Sequence, residues 1–232
     1  MYSLVSANSA VSAINVVPVK LPRAFYDRPT LDVARDLIGK VLVHARRAVT
    51  TSGIIVEAEA YVGEADPACH AAPGPTARNA PLYGPPGHAY VYLNYGIHCL
   101  VNVVTEAEGS PAAVLIRALE PLEGIDLMRR RRARFMKGRP PRADRELADH
   151  ELCRGPGNLT KAMGITLAGN RLDLMGDRLF VEDRGVRAGR LTWGPRIGIN
   201  VGTGRLWRVY VVGHAAVSGG GARAYESRTT LG

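Results

Sequence analysis

The sequence predicts an α+β fold: a single domain with a curved, mostly antiparallel β-sheet surrounded by helices. Short apolar or alternating segments recur at hairpin-like spacing, which does not suit a doubly wound parallel sheet. Helical periodicities interleave with them. The chain has 232 residues, 46% of them hydrophobic and 22% charged, which is enough for a sizeable core and unlike a disordered chain.

The elements follow in order. Residues 1–20 form an N-terminal extension expected to be loose; no Lys or Arg precedes Lys20, so it lacks the charged start of a secretory signal. Thr30 is the expected N-cap of a helix over Leu31–Ile38, which Gly39 ends. Val41–His44 reads as a short strand. Ile54–Tyr61 reads as another, with Ile54, Val56, Ala58 and Ala60 on one face and Glu57, Glu59 and Tyr61 on the other. The stretch 63–87 is rich in Gly, Pro and Ala, and so long a loop in a compact domain points to function or disorder. His88–Leu93, Cys99–Val104 and Ala113–Leu119 are further strands, the first two joined by a tight turn over Asn94–His98. Leu122–Met136 is a strongly basic helix, and Glu146–Cys153 and Asn158–Met163 are short helices around Gly155-Pro156-Gly157. Arg178–Glu182 and Leu206–Val212 are late strands. The domain is expected to span 21–218, with a loose tail over 219–232.

The net charge of +9 suits a polyanionic partner, nucleic acid before membrane, and no apolar run is long enough to span a bilayer. The cysteines, Cys69, Cys99 and Cys153, are too few for a disulfide framework and imply a reducing cytoplasm. None of the His and Cys spacings is that of a zinc site, so no metal and no cofactor is expected.

Several residues are chemically conspicuous. Glu57 and Glu59 lie two apart and share a strand face. They are either an exposed polar face or a sheltered pair whose pKa is tuned for general-base work. Arg117, inside the apolar run Ala113–Leu119, demands an anionic partner: a structural ion pair with Glu57 or Glu120, or a role beside Glu59. Tyr90 and Tyr92 share a face, while Tyr95 falls on the turn, where a rigid side chain can wedge between base pairs. Arg129, Arg130, Arg131 and Arg132, followed by Arg134, Lys137, Arg139 and Arg142, form a dense basic run more easily explained by phosphates than by a solvated face.

These segments resemble the alkyladenine DNA glycosylase family, also called methylpurine or 3-methyladenine DNA glycosylases, over nearly the whole chain. The most specific parts are Ile55-Val56-Glu57-Ala58-Glu59-Ala60-Tyr61, Pro67-Ala68-Cys69-His70, Thr76-Ala77-Arg78-Asn79, Tyr90-Val91-Tyr92, Tyr95-Gly96, Val101-Asn102 and Leu115–Pro121. The resemblance implies base-excision repair: a damaged purine (3-methyladenine, 7-methylguanine, hypoxanthine or ethenoadenine class) is flipped from double-stranded DNA and its N-glycosidic bond hydrolysed by a monomer. It makes Glu59 the general base and sets Arg117 beside the attacking water. It places the base between Tyr61 and Tyr92, with His70 at its edge and Asn102 excluding guanine. Tyr95 would fill the gap in the duplex. DNA contacts are implied at Arg78, Asn79, Arg129, Arg130 and Lys161. No lysine occupies a matched pocket position, so no Schiff-base lyase step is expected. Asn158 stands where the family often has lysine, with Lys161 one helical turn on as a substitute. Ile97 and His98 replace bulkier neighbours of the wedge, and Cys69 replaces an alanine seen in some members. Two rivals remain: a non-catalytic nucleic-acid-binding protein, and a metal-dependent nuclease built on Glu57, Glu59 and His70.

Overall fold

The computed structural model describes residues 17–135 and 146–219. Residues 1–16 of the expected extension, Lys137, Arg139 and Arg142 of the basic run, and the tail beyond 219 lie outside the described residues. The elements run β1 (Val19–Lys20), α1 (Arg23–Tyr26), α2 (Thr30–Leu37), β2 (Val41–Arg46), β3 (Val49–Val62), β4 (Ala89–Asn94), β5 (His98–Val104), β6 (Ala112–Glu123), α3 (Ile125–Arg134), α4 (Asp149–Leu152), α5 (Pro156–Met163), β7 (Leu179–Asp183), β8 (Leu191–Gly194) and β9 (Arg208–Val211). All the strand pairs are antiparallel, in one open sheet of order β1-β7-β2-β3-β6-β5-β4, with β9 joining β3 to β8. The expected α+β class is therefore the observed one.

β3 is the axis of the sheet. Residues 49–54 pair with β2, residues 57–59 with β9, and residues 52–62 with β6. Residues 51–60 are buried on both faces, so the simple apolar-in, polar-out reading of this strand is replaced by two occupied layers. Pairing with β6 shifts register on either side of Glu57: Ile55 faces Leu119 and Glu57 faces Ala118, whereas Ala58 faces Ile116. Val56 and Arg117 fall in the skipped positions. Such irregularities re-aim side chains, and here they occur beside both carboxylates.

Several boundaries differ from the sequence reading. The sheet begins at Val19, because Val19 and Lys20 pair with Asp183 and Glu182. Thr30 is the first residue of α2 rather than its cap; its hydroxyl bonds Thr105 and Glu106 instead. Gly39 does end that turn, in a left-handed conformation (φ 87°). β6 runs on to Glu123, so the basic helix starts only at Ile125. β8, which carries Trp193, carries no periodic signal. The long loop 63–87 is packed rather than loose: Cys69, Ala71 and Leu82 join Tyr90, Val104 and Ala113 in a small second core.

Candidate active site and its family

Glu57 and Glu59 are both completely buried. Two carboxylates cannot be sheltered in a sheet without donors, and here five residues supply them. Glu57 Oε1 accepts from Arg117 Nε (3.1 Å), Arg208 Nη1 (2.9 Å) and Ser218 Oγ (3.0 Å), and Oε2 accepts from the Ser218 amide (2.7 Å). Glu57 thus accepts four hydrogen bonds, three of them on Oε1. Glu59 Oε2 accepts from Arg117 Nη1 (3.2 Å) and from the Tyr61 hydroxyl (2.9 Å); Oε1 accepts from the Ile197 amide (2.7 Å). Glu59 thus accepts three hydrogen bonds, one fewer than Glu57. Burial pushes the Glu59 carboxyl above the ordinary carboxylate range, and Arg117, the Ile197 amide and Tyr61 offset this only in part. Arg117 loses hydration on burial, but Glu59 and Glu57 more than compensate and hold it charged. The choice left open by the sequence resolves into one arrangement: Arg117 bridges both carboxylates, and Glu120 bonds His214 instead.

Tyr61, Arg117 and Ile197, the three groups that hold Glu59, also line a cavity of about 500 Å³. Its other walls include His70, Tyr90, Tyr92, Tyr95 and Asn102, so the expected base-pocket residues converge on one space. His70 Nδ1 bonds the Tyr90 hydroxyl (2.9 Å), and its ring meets Tyr92 edge-on with centroids 4.4 Å apart. Burial, and then Arg78, lower the His70 pKa, so the ring is neutral at pH 7 and its Nε2 is left to donate or accept, according to tautomer, at the edge of a base. Asn102 is 4% exposed, lines the cavity and donates Nδ2 to the Tyr90 carbonyl across the strand pair (3.0 Å). The amide is thus tied to backbone and set at the wall at once. Among the described residues, no three His, Cys, Asp or Glu side chains gather at one point.

A family model described as methylpurine-DNA glycosylase matches residues 24–215. The chain belongs to this family. Relatives carrying the provisional name 3-methyladenine DNA glycosylase agree. One from Burkholderia lata is 47% identical over 202 residues, covering 86% of this chain and 91% of the relative. One from Methanocella arvoryzae is 49% identical over 194 residues (82% and 91%), and one from Chlorobaculum tepidum is 40% identical over 201 residues (86% and 90%). This is a DNA-repair glycosylase, a hydrolase of N-glycosidic bonds acting on DNA.

The outer face of the glycosylase is built unevenly. Tyr95 sits at the tip of the β4–β5 turn, 82% exposed and with a left-handed backbone (φ 49°). Arg78 is exposed beside it: Nη2 donates to the Leu93 carbonyl (3.4 Å), and its guanidinium lies 5.9 Å from the Tyr92 ring centre. Asn79, expected to reach DNA, is turned inward and 2% exposed. Its amide accepts from the Thr76 N–H (2.6 Å) and donates to the carbonyls of His70 and Gly74 (2.8 Å each), so it shapes the loop that carries His70.

Three arginines of the described part of the basic run have structural partners. Arg129 donates to the Leu147 carbonyl and pairs with Asp149 and Glu146. Arg131 donates to the Ala162 carbonyl at the end of α5 (3.0 Å), a reach that only a glycine at 164 allows: a Cβ there would lie 2.6 Å from the guanidinium carbon. Arg132 donates to the Leu152 carbonyl at the end of α4 (2.5 Å). Arginines that cap helix C-termini satisfy stranded carbonyls and the helix dipole. Of the two α3 residues expected on DNA, Arg129 is thus tied to α4 and its flank, while Arg130 is exposed. Lys161 lies over the Phe135 ring (4.6 Å). Asn158 lines the cavity and donates to the Arg154 carbonyl (2.9 Å).

Sequence reasoning missed the residues that brace the site from afar. Asp66 and Arg196 are completely buried and joined in a bidentate pair (2.5 and 2.8 Å). Arg196 lies over the Tyr61 ring (4.6 Å) and donates to the Ala60 carbonyl, while its neighbour Ile197 holds Glu59. The only signal in the sequence was Arg196 itself, an arginine following Trp193-Gly194-Pro195 in an otherwise apolar stretch.

Proposed function

We propose that this glycosylase takes a damaged purine, flipped from duplex DNA, into the cavity between Tyr61 and Tyr92, and that Glu59 deprotonates the water that displaces it. The observation that carries the reading is the inequality of the two buried carboxylates. Glu57 accepts four hydrogen bonds, two of them from Arg117 and Arg208, whereas Glu59 accepts three, all from groups that line the adjoining cavity. Glycosidic cleavage passes through an oxocarbenium-like state, which a nearby carboxylate stabilises while it activates water. Extrusion of the base costs roughly a few kcal/mol, and stacking on aromatic walls returns about 1–3 kcal/mol per base.

The substrate class is 3-methyladenine, 7-methylguanine, hypoxanthine and ethenoadenine. Tyrosine walls stack any purine, and cationic alkylated purines leave most readily. Among the described residues no lysine lines the cavity, which supports a monofunctional enzyme without a lyase step. The enzyme acts as a monomer in the cytoplasm, at the nucleoid in a bacterium, where its duplex DNA substrate lies. No described helix is long and apolar enough to cross a membrane.

The test is single-turnover excision from duplexes bearing one defined lesion. Glu59→Gln is expected to lose base release while retaining lesion binding. Release at near the wild-type rate by a folded Glu59→Gln protein would remove Glu59 from the mechanism, whereas no base release by the wild type would return the site to a non-catalytic binder.

A further inference from the structure

The β4–β5 turn stands between two concavities. Tyr95 lines the 500 Å³ cavity, whereas Ile97, 67% exposed, lines a second groove of about 360 Å³ on the other flank. That groove is walled by Arg46, Arg131, Arg134 and Lys161, with Phe135 on its rim, and no acidic residue lines it. Cations gathered without acids repel one another: burial first, and then Arg46 and Arg134, lower the Arg131 pKa. Such a cluster is stabilised by an anion.

We propose that this groove holds the sugar–phosphate backbone of the DNA strand opposite the lesion, beside the gap that the flipped base leaves. The inference rests on the reading of Tyr95 as the group that enters the duplex. A wedge entering the minor groove, about 6 Å wide, has one backbone on each side of it. The lesion strand must run on the flank where its base enters the cavity. The complementary strand then lies on the flank of Ile97, where Arg46 and Arg134 meet its phosphates. Ile97 and Phe135 give apolar contact to the sugars, and the Lys161 ammonium stands over the Phe135 ring (4.6 Å) at the same wall.

The experiment uses a lesion duplex in which phosphates near the gap are replaced by neutral methylphosphonates, on one strand at a time, together with the Arg46→Ala/Arg134→Ala variant. Both arginines are exposed and their removal leaves the core intact. Neutral opposite-strand phosphates are expected to weaken wild-type binding several-fold and to leave the variant unaffected. The variant's slope of log affinity against log salt is expected to fall by about 2 on duplex, one per lost phosphate contact, and to be unchanged on single-stranded lesion DNA. Wild-type binding indifferent to opposite-strand neutralisation, or an equal loss by the variant on single strands, would overturn the assignment. Base release by the wild type is measured in the same samples: its absence would count against the glycosylase mechanism, whereas its presence without strand dependence counts against the groove alone.

Discussion

Arg117 Nη1 lies 3.2 Å from Glu59 Oε2, with the Tyr61 hydroxyl 2.9 Å from the same oxygen. An arginine this close would ordinarily drag a carboxyl pKa down. Complete burial outweighs it, because Arg117 is shared with Glu57, and the Glu59 carboxyl is held above its usual range.

The pH profile follows from that balance. A general base acts only when deprotonated, so single-turnover excision should fall as pH drops through the raised Glu59 pKa and level off above it. The residual rate of Glu59→Gln should lack this acidic limb. A wild-type rate flat across the acidic and neutral range would remove Glu59 as the titrating base.

Glu57→Gln is predicted to act through the fold. Arg117 and Arg208 both lean on Glu57, and deleting its charge leaves the buried Arg208 without a carboxylate partner and Arg117 with Glu59 alone. The expected cost is about 3 kcal/mol, read as a lower urea midpoint, with excision per folded molecule impaired less than in Glu59→Gln. An unchanged midpoint would mean that water or side-chain rotation compensates the arginines.

How far the site was legible follows from where its parts lie. The two carboxylates, Tyr61, Tyr92 and Asn102 sit on strands that alternation marks out, whereas the pocket roles of His70 and Asn102 were legible only through the family resemblance. The partners that fix protonation and orientation come from elsewhere: Ser218 is 161 residues from Glu57, and Arg196 is 130 from Asp66. No periodicity links such positions. The dense arginines of α3 misled for the same reason, since the carbonyls they cap, at the ends of α4 and α5, come within reach only when the helices pack. Asn79 follows an exposed arginine and looks like surface, yet its amide closes the loop from Gly74 to Thr76.

Asp66→Ala should disorder the brace behind Tyr61. Arg196 would be left buried and unpaired, a loss of about 3–5 kcal/mol. Burial opposes the Asp66 charge, but Arg196 and the Ala68 and Val62 amides win and hold its carboxyl below the usual range. Its stabilisation is therefore present above the ordinary aspartate pKa and is lost as pH falls through the lowered one. Wild type should show this acidic loss of stability, and the variant a smaller one. Identical acid unfolding curves would show that Asp66 carries no linkage.

Tyr95→Gly separates binding from folding. A non-glycine residue in the left-handed region costs roughly 1 kcal/mol, and Tyr95 is 82% exposed, so little packing is lost with its ring. Thermal stability should hold or rise slightly, while affinity for lesion duplex falls more than affinity for undamaged duplex. A parallel loss on both DNAs would make the turn a general phosphate or shape contact rather than a plug.

Asn102→Ser tests the proposed exclusion of guanine. The residue is held rigidly: its Nδ2 donates to the carbonyl of its cross-strand partner Tyr90 (3.0 Å), and it is 4% exposed at the cavity wall. A fixed amide can exclude a purine by bulk, because it cannot swing aside without leaving the Tyr90 carbonyl without its donor. Guanine differs from hypoxanthine by one exocyclic 2-amino group, and a pocket that discriminates on that group needs an immovable side chain facing it. Asn102→Ser shortens the side chain and opens the wall, so release of undamaged guanine should rise relative to hypoxanthine, by about tenfold if the exclusion is worth roughly 1.4 kcal/mol. The assay compares a guanine duplex with a hypoxanthine duplex under single turnover, with circular dichroism to establish folding. A folded variant with an unchanged ratio would leave Asn102 as the backbone tie between β4 and β5 and move the guanine gate to another wall of the cavity.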